Sequence, residues 1–188
     1  MSASIPRLEM QDLRPDLAEF LQPRVKRLNY LGEFFKVTGH VPDVLLPFLQ
    51  FTEALKDALP NNLTEAAVFT VATWAKNDYE RHQHERLALK LGFSEAWIRD
   101  AERLDPDSAG ELSEAEKATQ RYALACLERF GKDCGGEFAA LVEAVGHEQA
   151  IAVAFLVGRY STHAMVVNTL ALAPPVPSPL TDGEKQAS

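Results

Sequence analysis

The last long segment of the chain constrains its fold most strongly. Residues 147–173 read HEQAIAVAFLVGRYSTHAMVVNTLALA, which predicts a helix that is apolar nearly all round between Ile151 and Val157. A single core covers only one side of such a helix, so the helix belongs at the centre of a bundle or in an interface between subunits. The segment therefore indicates a helical protein and favours one that assembles through apolar helices.

The rest of the sequence repeats the helical pattern. Apolar residues recur at spacings of three and four, and no stretch shows the alternation of a strand. Thr64 is a candidate N-cap, Gly92 a candidate C-terminal cap, and Ser94 a candidate helix start. Ser113 and Glu116 have the spacing of a capping box. The fold class predicted from these signals is all-α.

The composition and the positions of the prolines suggest one domain with short arms. The chain has 188 residues, 46% of them hydrophobic, which is enough for one sizeable core. Residues 1–30 are interrupted by prolines and predict an N-terminal arm with a short helix. Residues 31–173 form the predicted helical domain. Residues 174–188 are proline-rich and then polar, which predicts a flexible C-terminal tail.

The charge of the chain limits its partners. The net charge is -8, and an acidic surface repels phosphate backbones and anionic lipids, so we expect no nucleic acid and no membrane partner. No apolar run reaches the roughly 18 residues of a membrane span. The N-terminus has no apolar core of a signal peptide. The sequence therefore predicts a cytoplasmic protein.

The two cysteines do not form a known redox or metal motif. Cys126 and Cys134 stand eight residues apart in the sequence, which matches neither a CxxC pair nor a zinc knuckle. Cys126 falls on the apolar side of a predicted helix and is expected in the core. Cys134 falls in the glycine-rich stretch GKDCGG and is expected to be exposed. We assign a catalytic role to neither.

Titratable residues are concentrated in the segment KNDYERHQHERLALKLG, residues 76–92. On a helix, Asn77, Glu80 and His84 continue the apolar face of Leu87 and Leu91. Polar groups in line with a core face either bond to each other or line a pocket, and both interpretations stay open. The remaining charged residues are expected on a solvated face: Asp78, Arg81, Glu85 and Arg86.

Glu65 adds a carboxylate from the preceding predicted helix. It is in line with the apolar positions Val68 and Ala72, where a carboxylate is unfavourable without a partner. His84 is the candidate partner, and a Glu–His pair can exchange a proton near neutral pH. The alternative is that Glu65 only complements the dipole at a helix N-terminus. Glu80 and His84 are four apart, but a metal site needs further ligands, so we expect no metal.

A family resemblance is carried by residues 64–98, TEAAVFTVATWAKNDYERHQHERLALKLGFSEAWI. This segment resembles the carboxymuconolactone decarboxylase and alkylhydroperoxidase D (AhpD-like) family. The peroxidase branch has a glutamate, eleven residues, a cysteine, two residues, a second cysteine, three residues and a histidine. The same positions hold Glu65, Asn77, Glu80 and His84, and Tyr79 stands where the motif has a histidine or tyrosine. Both motif cysteines are therefore absent, so the chain is similar to the cysteine-free, decarboxylase-like side of the family.

The resemblance implies an all-α, AhpD-like helical bundle that forms a homotrimer or homohexamer. It also implies cofactor-independent acid–base chemistry of a decarboxylase, lyase or isomerase on a small organic acid, either a carboxylated lactone or a keto acid. His84 would be the acid or electrostatic stabiliser, and Glu65 would relay the proton. Tyr79 and Glu80 would hold the substrate or order a water, and Asn77 would bind a carbonyl or carboxylate.

Two alternatives from other functional classes remain. One is an alkylhydroperoxidase or peroxiredoxin-type antioxidant protein, which the missing CxxC disfavours because that chemistry needs a thiolate and a resolving thiol. The other is a non-catalytic oligomeric binding protein on the same fold. Tyr160 and His163, on the long helix 147–173, are further candidates to reach the pocket.

Overall fold

The computed structural model describes residues 5–180, and within that range the protein is all-α, as predicted. A short 3-10 turn at Met10–Asp12 precedes the first α-helix. Within residues 5–180, nine α-helices follow: α1 (Pro15–Leu28), α2 (Glu33–Thr38), α3 (Pro42–Ala58), α4 (Asn61–Trp74), α5 (Asp78–Leu91), α6 (Glu95–Arg103), α7 (Glu114–Arg129), α8 (Gly135–Val145) and α9 (His147–Thr169).

Helix α4 lies at the centre of the bundle. It packs against α5, α6, α7 and α9, and its residues from Leu63 to Ala72 are all buried. Small side chains such as Ala66, Ala67 and Ala72 let the neighbouring helices approach it from every side. Because α4 is surrounded by protein, any polar side chain on it needs a protein partner or a ligand.

Three apolar clusters fill the space around α4. The first joins α4 to α7, α8 and α9 through residues such as Val68, Leu141 and Leu156. The second joins α1, α2, α3 and the end of α9. The third joins α4 and α5 to α6 and the loop after it, with Phe69 and Trp97 in edge-to-face contact. Together they bury one apolar face of each described helix against a neighbour.

Helix α9 is the long apolar helix expected from the sequence. It is long and apolar enough to cross a membrane, but 56% of its most apolar window is buried inside the bundle. That is the pattern of the core helix of a soluble protein. Its buried side packs on α4 and α8, whereas Ile151, Phe155 and Met165 on its other side are exposed.

Helix ends follow most of the predicted signals. Gly92 closes α5 with a positive φ of 95°, which glycine adopts without strain. Ser94 caps α6, and Ser113 with Glu116 forms the capping box of α7. The N-cap predicted at Thr64 is wrong, because α4 begins three residues earlier and Pro60 holds the extended backbone that precedes it.

Both ends of the described chain pack on the bundle. In the predicted N-terminal arm, α1 buries Leu17 and Leu21 in the second apolar cluster. At the other end, residues 176–180 run along α5, where the backbone carbonyls of Val176 and Pro177 contact His82 and Arg86. Residues 181–188 of the predicted flexible tail lie outside the described residues.

The two cysteines lie around the turn between α7 and α8. Cys126 packs against the first apolar cluster, in keeping with the expectation of a core residue. The expectation that Cys134 is exposed is wrong: its side chain is buried at the N-cap position of α8. The glycines that follow it continue into the helix instead of forming an open loop.

Candidate active site

The N-terminus of α5 brings polar side chains into the centre of the bundle. Asn77 is the N-cap, and its side-chain carbonyl accepts a hydrogen bond from the backbone N–H of Glu80 at 3.3 Å. This cap sets the direction of α5, so that Glu80 and His84, one turn apart, face α4 and α9. Asn77 was predicted to bind substrate; the structure uses its side-chain oxygen as the helix cap.

Glu65 and His84 form a buried pair between α4 and α5. His84 Nδ1 donates a hydrogen bond to Glu65 Oε2 at 2.7 Å. Glu65 is only 2% exposed and His84 only 6%. The partner predicted for Glu65 is therefore the one that the structure places beside it, and the short contact is that of a charge-assisted hydrogen bond.

The other imidazole nitrogen of His84 has two longer contacts. Tyr160 Oη lies 3.4 Å from His84 Nε2, and Glu80 Oε1 lies 3.6 Å from it. The rings of His84 and Tyr160 meet edge to face. His84 is thus held between two carboxylates, with the stronger bond on the Glu65 side.

This arrangement favours the charged imidazole. Burial opposes the positive charge, but Glu65 and then Glu80 outweigh it and raise the pKa of His84 to about 9. His84 is accordingly an imidazolium at neutral pH, and it holds a proton that a buried histidine without carboxylate partners would have lost.

Helix α9 supplies a cation and a second histidine on the far side of Glu80. Arg159 Nη1 lies 3.7 Å and His163 Nε2 3.8 Å from the Glu80 carboxylate. Burial opposes ionisation of Glu80, but these neighbours and His84 hold the pKa of Glu80 well below its ordinary value. Burial lowers the pKa of His163 to about 4, so at neutral pH the cations beside Glu80 are His84 and Arg159.

We call this set of side chains the His84 cluster: Glu65, Glu80, His84, Arg159, Tyr160 and His163. Arg159 Nε donates to Thr52 Oγ1 at 2.7 Å, but its Nη1 has no hydrogen-bond partner among residues 5–180. His163 Nδ1 is likewise buried without a partner there. Over the same range, no group of three or more His, Cys, Asp or Glu side chains is arranged to hold a metal ion.

Tyr79 lies at the edge of the His84 cluster, with its ring centroid 6.0 Å from that of His163. Its hydroxyl accepts a hydrogen bond from the backbone N–H of Phe34 at 3.1 Å, and it belongs to the second apolar cluster. Gly32 approaches the same hydroxyl so closely that an added Cβ would lie 2.8 Å from it. Because this contact fixes the start of α2, the position gives Tyr79 a packing role and offers no support for the predicted catalytic one.

A cleft of about 390 Å³ opens beside the Glu65 end of the cluster. It runs between α1, α3, α4 and α5, and Glu65 is the member of the His84 cluster that lines it. Leu87 and Leu91 were predicted to be core residues, but they line this cleft, and Leu91 is exposed. The cleft also carries three cationic side chains: Arg24, Arg27 and Lys56.

The opposite side of α5 holds a second, partly buried group of charges. Glu85, predicted to be solvated, is fully buried; α6 and the C-terminal segment cover that face, which spacing along α5 alone does not reveal. Arg81 lies 2.8 Å from Glu85 and 3.4 Å from Glu102 of α6. Ser178 donates a short hydrogen bond to the other Glu85 oxygen. We call Arg81, Glu85, Glu102 and Ser178 the Glu85 cluster.

Arg159 and the basic side chains that line the cleft were not predicted from the sequence. A usable signal was the arginine in the middle of the apolar helix α9, four residues before His163 and so on the same face. An arginine at a position in line with buried residues needs a buried partner. For Arg24, Arg27 and Lys56 there was no such signal, because amphipathic helices normally expose these residue types.

Solved structures share this fold. An uncharacterized peroxidase-related protein from Ralstonia eutropha JMP134, described as an alkylhydroperoxidase AhpD core, matches with a TM-score of 0.79 at 17% identity, covering 90% of each chain. A variant of the debrominase Bmp8 in complex with 2,3,4-tribromopyrrole matches with a TM-score of 0.77 at 17% identity, over 92% of this chain and 93% of that one.

A third structure gives the same result. An uncharacterized peroxidase-related protein from Silicibacter sp. TM1040 matches with a TM-score of 0.72 at 15% identity, over 92% of this chain and 95% of that one. No protein-family model and no curated protein matches the sequence. At these identities the likeness shows the fold, and the expectation of an AhpD-like helical fold is confirmed.

Proposed function

We propose that the protein is a cofactor-independent acid–base catalyst, a decarboxylase or related lyase or isomerase that acts on a small organic acid. The observation that carries this proposal is the buried Glu65–His84 pair, in which Glu65 lines a cleft and His84 holds a proton behind it. Coupled titratable groups of this kind are what proton transfer to a substrate carbon requires.

The geometry supports a relay in which Glu65 faces the substrate. Loss of carbon dioxide from a carboxylated lactone leaves its bonding electron pair on the substrate as a delocalised enolate. His84 Nδ1 passes its proton to the Glu65 carboxylate across the 2.7 Å hydrogen bond, and Glu65 delivers that proton to the enolate carbon. Water then restores the proton of His84. Glu80, which is itself paired with Arg159, fixes the other side of the His84 ring during this exchange.

The charges of the cleft support an organic acid as the substrate. The whole chain carries a net charge of -8, yet the guanidinium groups of Arg24 and Arg27 line this cleft, and Arg27 has no ion-pair partner among the described residues. A carboxylate is attracted to such a wall, and its approach brings the rest of the molecule to Glu65.

A peroxidase function has less support. Two neighbours in fold are described as peroxidase-related, but the positions that the resemblance assigns to the redox cysteines hold Asn77 and Glu80. Cys126 and Cys134 lie around the α7–α8 turn, whereas the His84 cluster is built by α4, α5 and α9. The debrominase neighbour illustrates that the fold carries other chemistry.

We further propose that the protein assembles as a homotrimer or homohexamer in the cytoplasm. Ile151, Phe155 and Met165 form an exposed apolar stripe on α9, and Phe155 packs edge to face on the exposed Phe51 of α3. Contiguous apolar surface of this kind is usually covered by a partner. Light scattering after size exclusion tests the assembly: F155E is expected to shift the wild-type oligomer to monomer, and an unchanged mass would refute this interface.

The function is tested by turnover of 4-carboxymuconolactone without added cofactor, followed as loss of its ultraviolet absorbance. Turnover that resists thiol alkylation supports the acid–base proposal, and turnover abolished by alkylation contradicts it in favour of a redox protein. Binding of the lactone without turnover would instead identify a non-catalytic binding protein.

A further inference from the structure

Lys56 on α3 lines the cleft next to Glu65 and has no counter-ion. Its side chain is partly buried, and within residues 5–180 its ammonium group has neither a hydrogen-bond nor an ion-pair partner. The acid one turn earlier on the same helix, Glu53, is paired with Arg24 at 2.7 Å. A lysine that is withdrawn from water without a partner is an uncommon feature, because lysines are seldom buried unless paired.

The surroundings of Lys56 favour the neutral amine. Burial lowers the pKa of Lys56. Glu53 opposes this shift more than Arg24 adds to it, Glu80 and Arg159 have smaller effects of the same two kinds, and burial still keeps the pKa below its ordinary value. These four side chains and Glu65 are the charged groups that face it, from α1, α3, α4, α5 and α9. A desolvated lysine beside other cations is the usual form of a nucleophilic amine.

The cleft holds the other groups that amine chemistry on a carbonyl needs. Glu65 is a carboxyl group on the same wall, able to move protons during addition and dehydration. Arg27, exposed at the rim, also has no hydrogen-bond or ion-pair partner among the described residues and can hold a substrate carboxylate. A volume of about 390 Å³ accommodates a molecule of a few carbon atoms with its water.

We propose that Lys56 is a nucleophilic amine that forms a Schiff base with a small oxo acid bound in this cleft. The lone pair of Nζ forms a bond to the carbonyl carbon, and the carbonyl oxygen leaves as water. One proton of that water comes from the amine and the other from solvent in the open cleft, which the Glu65 carboxylate can relay. The product is an iminium ion with one proton on its nitrogen.

The substrates whose decarboxylation an iminium ion favours most are 3-oxo acids. The electron pair of the bond to the departing carbon dioxide moves towards the iminium nitrogen and gives an enamine. A proton added to the enamine carbon, followed by hydrolysis, releases the ketone and the free lysine. Only this last protonation rests on the proposed Glu65–His84 relay; formation of the Schiff base stands on Lys56 and the cleft.

Reductive trapping tests the proposal on the full-length protein. The protein is incubated with pyruvate and sodium cyanoborohydride, and the modified residue is located by mass spectrometry of proteolytic peptides. We expect one reduced pyruvyl adduct per chain, located at Lys56, and loss of this adduct in K56R. The exposed Lys90 serves as the matched control, so K90R is expected to label like wild type. Acetone, which lacks the carboxylate, is expected to label Lys56 more slowly.

Two results would overturn the proposal: adducts spread over surface lysines with no preference for Lys56, or no adduct at all. Both are read from the wild-type protein, so they do not depend on the folding of a variant. The outcome is also separate from that of the acid–base function. Labelling of Lys56 without lactone turnover refutes only the lactone decarboxylase, and turnover without labelling refutes only the Schiff base.

Discussion

Helix α5 carries two buried charged clusters on opposite sides, and their central residues, His84 and Glu85, are neighbours in sequence. In the His84 cluster, cations and carboxylates alternate, and polar atoms of Arg159 and His163 are left without partners in the described chain. In the Glu85 cluster, Arg81 pairs with both Glu85 and Glu102, and Ser178 donates a hydrogen bond to Glu85. The first contains unsatisfied groups and borders the cleft through Glu65, whereas the polar groups of the second bond to one another.

The difference separates a candidate function from a contribution to folding. Unpaired buried polar atoms are rare in proteins and mark places where a ligand or water completes the structure. The Glu85 cluster joins α5 to α6 and to the end of the described chain. We therefore expect changes in the His84 cluster to affect catalysis, and changes in the Glu85 cluster to affect stability and its dependence on pH.

The largest expected effect is on catalysis by the Glu65–His84 pair. E65Q and H84Q should each lower kcat for the lactone by about 10²–10⁴, because each removes one member of the proton relay. The double variant should be little worse than either single one, since the two residues act as a unit. Steady-state kinetics measure all three.

The matched control is H82Q, on the same helix but facing the C-terminal segment. It should keep kcat within about twofold, because surface substitutions away from the reacting groups have small effects. Equal losses of kcat in H82Q and H84Q would show that the two sides of α5 do not differ in their effect on catalysis.

An intermediate effect is expected for stability in the Glu85 cluster. Burial first, and then the hydrogen bond to Glu85, raise the pKa of Glu102 to about 7. The folded state therefore retains a proton that the unfolded chain gives up. This contribution is fully present below the ordinary value of 4.5 and is lost as the pH rises through about 7.

E102Q keeps the neutral form at every pH and should remove this dependence. We expect it to be more stable than wild type at pH 8, by on the order of 1–2 kcal/mol, with a gap that closes towards pH 4.5. Urea unfolding at a series of pH values measures the gap. A difference that does not change with pH would show that Glu102 ionises normally, and kcat should be unaffected in either case.

The smallest expected effect is on the C-terminal segment. S178A removes the hydroxyl that bonds to Glu85 and should destabilise the protein by about 1 kcal/mol, the usual net value of one hydrogen bond. The measurement is again urea unfolding, with proteolysis after residue 175 as a second readout of how firmly the segment is held. A loss of several kcal/mol would mean that this segment is central to the fold.

The sequence predicted what depends on local pattern and failed where packing decides. Helix positions and caps such as Gly92 and Ser113 follow from spacing, and the Glu65–His84 pair follows from aligning two predicted stripes. Glu85 was misassigned because helical spacing shows which residues share a face but not what covers it. Here α6 and residues 176–180 cover that face.

The cleft was not predicted either, because spacing along one helix does not show which other helices meet it. Arg24, Lys56 and Leu91 come from three helices, and each looks ordinary on its own helix. Only their convergence gives the cleft its charge and leaves Leu91 exposed. Arg159 could have been predicted from the sequence, because an arginine inside an apolar helix needs a buried partner. The identity of that partner, Glu80, is known only from the fold.

The charge state of His84 is the central claim, and it can be measured without knowing the substrate. Histidine side chains labelled with ¹³C are titrated by NMR from pH 5 to about pH 10, a range that brackets the unperturbed and raised values, and the His84 signal is assigned by its absence in H84Q. We predict a midpoint near pH 9 in wild type and a lower midpoint in E65Q. A wild-type midpoint at or below the ordinary value of 6.5 would show that His84 is neutral in the folded protein and would contradict the proposed relay.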